Sequence, residues 1–190
     1  MKRFPLSRLL MLAIIACILA TMGCKKSGGG SSAGGNSYYV KFKVDGVLKT
    51  YSGLAAGTFN LVDGNGDNGC LVTGGKDLSV SDKNTMDILV SDPTAIAANI
   101  TYTNYATTTA GQVKPKDAYI NYLDESGVLF SAWPDDVSTP GVISDAKIVF
   151  TSVTSTSIKG NFSGTVYKEI DGSSPKHSIT EGEFFIHKIN

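Results

Sequence analysis

The chain has 190 residues, and its 17 Lys and Arg balance 17 Asp and Glu to a formal net charge of zero. That balance leaves no basic field to hold nucleic acid. Three cysteines are too few for a disulfide framework, and with only two histidines a centre built from several imidazoles requires His177 and His187 to meet.

The first segment is organised by polarity. Lys2, Arg3 and Arg8 precede an apolar run from Leu9 to Ala20, followed by Thr21-Met22-Gly23 and then Cys24. The run is shorter than the roughly 20 residues a membrane-spanning helix needs and fits the 7–15 residues of a cleaved signal core. After Cys24 comes Lys25-Lys26-Ser27 and a Gly/Ser stretch to Gly35, which has nothing to bury. This order resembles a bacterial lipoprotein export signal. The resemblance implies that residues 1–23 are removed and that Cys24 becomes the acylated first residue of the mature chain. Ordinary secretion and an uncleaved anchor are the alternatives. Cys17 is a second candidate, but cleavage there would truncate the apolar core. Thr21 stands where that family usually has Leu.

Loss of the signal removes three cations and no acid, leaving 14 basic against 17 acidic residues, a formal −3. Lys25 and Lys26 would then lie at the lipid surface, worth roughly 1 kcal/mol each against anionic headgroups. Residues 24–35 act as a tether, and its flexible part from Lys25 has an r.m.s. reach of about 17–20 Å. Cys70 would be the only thiol left, read as a small buried apolar residue rather than a reactive one.

Residues 36–190 have the size of one domain. Their dominant signal is alternation with a period of two, broken by Gly, Asn, Asp and Pro. Val40, Phe42 and Val44 alternate with Tyr39, Lys41 and Lys43; Asp45-Gly46 is then a type I′ hairpin signal, with a return strand from Val47 to about Ser52. Further strands are expected at Gly57–Val62, Cys70–Thr73, Met86–Val90, Asn99–Thr103, Ala118–Leu123, Val128–Ala132 and Lys147–Val153. Asp124-Glu125-Ser126-Gly127 makes a second hairpin turn.

The clearest alternation puts Ile158, Gly160, Phe162, Gly164 and Val166 on one face. Its two glycines call for another backbone or a large ring packed over them. In the last strand, Ser178–Ile189, Ile179 is out of phase with Phe184 and Ile186, and a bulge at Gly182 would restore the phase. The best helical candidate is a single turn within Pro93–Ala98. Short strands without intervening helices argue a single all-β domain, an antiparallel β-sandwich with a barrel as the alternative.

Phe42-Lys43-Val44-Asp45-Gly46 after a Cys-plus-spacer start, with Gly160-Asn161-Phe162-Ser163-Gly164 and Ile179-Thr180-Glu181-Gly182-Glu183-Phe184, resembles the small, β-rich, lipid-anchored proteins of unknown function common in Bacteroidetes. The resemblance implies an all-β fold at the outer membrane and supplies no catalytic residues. In such bacteria, surface-exported lipoproteins tend to carry acids just after the Cys. Lys25-Lys26-Ser27 has none, which points to the periplasmic face.

Chemistry-bearing motifs are sparse. Residues 36–190 contain no Gly-x-Ser-x-Gly elbow and no phosphate-cradling loop. Acids cluster as Asp124-Glu125, Asp135-Asp136 and Glu181/Glu183, the raw material of a carbohydrate-active hydrolase but equally ordinary turn and surface acids. Asp63, Asn65 and Asp67 resemble the opening of a calcium loop, yet Asn68 stands where that loop needs Gly and Gly74 where it needs Glu; a plain turn-rich loop explains the same residues. Trp133, followed by Pro134-Asp135-Asp136, fits an exposed ring that stacks on a sugar while the carboxylates take hydroxyls, or else a ring folded over the core edge. The expectation is a non-enzymatic, lipid-tethered envelope module with a saccharide or an envelope protein as partner.

Overall fold

The computed structural model describes residues 38–64, 66–77, 82–104, 117–132, 145–168 and 175–190. Cys24, the tether, Asn65, Trp133, Asp135 and Asp136 lie outside them. The described residues form eleven strands and no helix: β1 (Tyr39–Val44), β2 (Val47–Tyr51), β3 (Leu54–Val62), β4 (Asn68–Gly75), β5 (Thr85–Asp92), β6 (Thr101–Thr103), β7 (Asp117–Leu123), β8 (Leu129–Ala132), β9 (Lys147–Val153), β10 (Ser157–Tyr167) and β11 (Lys176–Lys188). The described residues are all-β, as their period-two alternation requires.

The turn chemistry works as expected. Asp45 and Gly46 take φ of 49° and 84°, the pair of positive values a type I′ turn demands. At the β7–β8 turn, Asp124 Oδ1 accepts the N–H groups of Ser126 and Val128, and Gly127 takes φ 78°. Between β9 and β10, Thr154 Oγ1 accepts the N–H groups of Thr156 and Ser157.

Strand order is β2-β1-β11-β3-β4-β5-β7-β8-β10-β9-β6, and β10 also pairs with β11. The pairing therefore runs in a closed circuit through β11, β3, β4, β5, β7, β8 and β10. Two thin junctions complete it. One is Tyr167 opposite Ser131; the other sets His187 and Lys188 beside Ala56 and Gly57. This second junction is parallel, a correction to the wholly antiparallel expectation. It arises because β11 is 13 residues long and outruns β1, so its C-terminal end continues onto a different neighbour.

Inside the circuit lies one core. Phe42, Ile88, Ile120, Ile148, Phe150, Ile158, Phe184 and Ile186 are essentially sealed from solvent, with Phe162 at 3% exposure. The β10 glycines are used as anticipated: a side chain on Gly160 would collide with the Phe184 ring and the Val149 carbonyl, and one on Gly164 with the Ala146 backbone. The Phe162 ring in turn covers Gly182.

The bulge in β11 is real but centred one residue earlier than Gly182. Phe162 faces Gly182 and Gly164 faces Ile179, so Thr180 and Glu181 together oppose Ser163, and Glu181 takes φ 49°. The extra residue puts Ile179 on the same buried face as Phe184 and Ile186.

The helical turn expected within Pro93–Ala98 does not form. Asp92 Oδ1 instead accepts both the N–H and the hydroxyl of Thr94. Asn60, at φ 54°, takes both backbone groups of Ile96 through its side-chain amide. Asn190 brackets Phe59 in the same way, and Asn104 Oδ1 accepts the Ala146 N–H. Such amides replace the missing strand partners of irregular backbone.

Candidate functional site

The sequence-derived sites that fall among the described residues separate in space. Asp63 Oδ1 accepts the Asp67 N–H at 3.0 Å, while Asp63 N–H donates to the Asp67 carbonyl at 2.9 Å, so this carboxylate helps close its own loop. Among the described residues no three His, Cys, Asp or Glu side chains gather as a metal set, and Asn65 lies outside them. His177 and His187 stand at opposite ends of β11, roughly 30 Å apart at strand rise, and cannot share an ion. Cys70 is 2% exposed, its thiol donates to the Thr58 carbonyl, and burial pushes its pKa up, so it is inert packing. Glu125 pairs with Lys49 and Asp124 caps its turn.

One acid pair does come to a concave surface. Glu181 and Glu183 line a groove of about 460 Å³ together with Lys147, Val149, Asn161, Phe162, Ser163 and Gly182. Three adjacent strands build it. Asn161 is registered with Val149 on β9 and Glu183 on β11, and Ser163 with Lys147. The β11 bulge explains its position. Two residues opposite one bend the strand and increase its twist, so a face that would be flat acquires a depression and Glu181 is re-aimed.

Each carboxylate has a partner. Lys43 Nζ reaches Glu181 Oε1 at 2.7 Å, and the Tyr39 hydroxyl donates to Glu183 Oε1. That hydrogen bond, with burial and the Glu183 charge, pushes the Tyr39 pKa to about 12. By contrast, Asn161 Nδ2 has only a long 3.5 Å contact to the Gly182 carbonyl, and Ser163 Oγ and Lys147 Nζ make no hydrogen bond or ion pair among the described residues.

Beside the groove, two residues further along β11, lies a half-buried aromatic platform. The Phe185 ring is 5.0 Å from Tyr38 and 6.3 Å from Tyr39, Tyr38 is 5.5 Å from His187, and Lys159 Nζ sits 4.6 Å over Phe185. The Phe184-Phe185 doublet is its one signal in the sequence, because adjacent strand residues put an aromatic on each face.

At the far end of the fold is a second constellation. Asp45 Oδ2 lies 2.6 Å from His177 Nδ1 and Asp45 Oδ1 accepts the Ser178 N–H at 2.8 Å. The His177 ring packs on Phe130 at 4.4 Å. The backbone hydrogen bond from Ser178, then the one from His177, hold the Asp45 carboxyl below its ordinary pKa. This arrangement ties the β1–β2 turn to the start of β11. No family model, curated protein or solved structure matches the chain.

Proposed function

We propose that this chain is a non-catalytic binding module of the bacterial envelope, tethered by lipid on Cys24, that holds a saccharide on the outer face of β9, β10 and β11. One observation carries the proposal: a groove with a weakly held amide and an uncommitted hydroxyl and ammonium borders a platform of half-buried aromatic rings. A sugar ring offers an apolar face and a rim of hydroxyls. Phe185 and Tyr39 suit the first; Asn161 and Ser163 suit the second. The groove volume lies within the range of small-ligand sites. The tether length and Lys25-Lys26-Ser27 support an outer-membrane lipoprotein on the periplasmic side.

The test is calorimetric titration of the detergent-solubilised full chain against a panel of envelope oligosaccharides. Phe185→Ala should abolish binding, and Trp133→Ala should leave it intact. The reverse pattern would move the site to the Trp133-Asp135-Asp136 loop.

Hydrolysis of the same ligand class is a second reading, because Glu181 and Glu183 line one groove as a carboxylate pair must. Release of reducing ends by the wild type, lost in Glu183→Gln, would establish it.

A further inference from the structure

We infer that the saccharide carries a carboxylate, and that Lys147 is the residue that reads it. This rests on the binding role proposed for the groove and adds the charge class of the ligand.

The outer strip across β1, β11, β10 and β9 presents four lysines, Lys41, Lys43, Lys159 and Lys147, against Glu181 and Glu183. Both glutamates already have partners, Lys43 and the Tyr39 hydroxyl, and Lys41 lies opposite Glu183 in the register. Lys159 is placed over the Phe185 ring. Asp145, beyond Ser163, is occupied by the Thr165 N–H and hydroxyl at 2.6 and 2.9 Å. What the groove leaves unanswered is therefore positive and donor-rich: the Lys147 ammonium, the Asn161 amide and the Ser163 hydroxyl. Unmatched cation therefore lies in a groove that borders aromatic rings.

A neutral sugar would satisfy Asn161 and Ser163 and leave Lys147 unused. A carboxylate on a second ring, seated over the groove next to the ring held at Phe185, would engage all three with charge-assisted hydrogen bonds. One partly exposed ion pair changes affinity only severalfold and is weakened by salt. The expected preference is accordingly modest and salt-dependent.

Oligogalacturonate and its methyl ester, which keeps the ring and removes the charge, provide the probe, with a neutral oligosaccharide panel alongside. The full chain should bind the free acid about fivefold more tightly than the ester at low ionic strength. Lys147→Met should erase that preference while still binding the ester, and Lys147→Arg should retain it. Equal affinity for acid and ester, or binding of neutral glycans alone, overturns the carboxylate inference and leaves the binding role standing. Failure of every glycan, charged or neutral, overturns the binding role itself.

Discussion

The Phe184 ring on β11 occupies the space that a side chain on Gly160 of β10 would need, while the Val149 carbonyl closes the same space from β9. Glycine here lets three strands approach under the groove. Gly160→Ala should therefore act as an overpacking mutation and cost about 1–3 kcal/mol. Phe162→Ala, which removes a ring 3% exposed, should cost roughly 3–5 kcal/mol. Urea denaturation measures both, and a loss under about 0.5 kcal/mol for either would contradict the packing described.

Asp87 on β5 stands half-buried between Thr73 and Asn121 in the register. Desolvation pushes its pKa up to about 6, against a hydrogen bond from Thr73 that acts the other way. A raised carboxyl binds its proton more tightly when folded, so stability falls as pH rises from the unfolded value near 4 towards about 6. Asp87→Asn should then stabilise the protein at pH 7, by at most about 3 kcal/mol, and have little effect at pH 3.5. A destabilised Asn variant at pH 7 would mean that the charge is compensated.

Asp45 has the opposite sign. Its carboxyl is held below the ordinary value by Ser178 and His177, so its contribution is complete above the unfolded pKa and fades as pH falls through the lower folded one. Asp45→Asn preserves the turn, since Asn tolerates positive φ. The wild type should be the more stable above pH 5, and the two curves should converge in strong acid. Parallel curves down to pH 2 would show that the carboxylate contributes nothing through its charge.

Acylation tests the tether. Radiolabelled palmitate should enter the full-length protein in cells, disappear with Cys24→Ala and persist with Cys17→Ala. Label retained by the Cys24 variant refutes the lipoprotein assignment.

Much of the fold was legible because strand alternation, Asp45-Gly46, Asp124–Gly127 and the Gly160/Gly164 pair are local signals that agree with one another. Even the β11 bulge followed from a phase error between Ile179 and Phe184. The closure of the circuit was not legible, since it depends on Tyr167 meeting Ser131 and His187 meeting Ala56, contacts far apart in sequence. The missing turn at Pro93–Ala98 failed for a related reason: the Asn60 amide that captures Ile96 comes from a distant strand. The groove was hidden because its parts read separately as solvated strand residues. Only β9, β10 and β11 in register bring Lys147, Asn161 and Glu183 together.

The most direct test of the binding face is chemical-shift mapping on the isotope-labelled full chain during titration with a bound oligosaccharide. The largest shifts should fall at the Asn161 side-chain amide, Ser163, Glu183 and Phe185, with Asp63–Asp67 and His177 unmoved. Shifts confined to the Asp63 loop or to Trp133, with Asn161 and Phe185 silent, would contradict it.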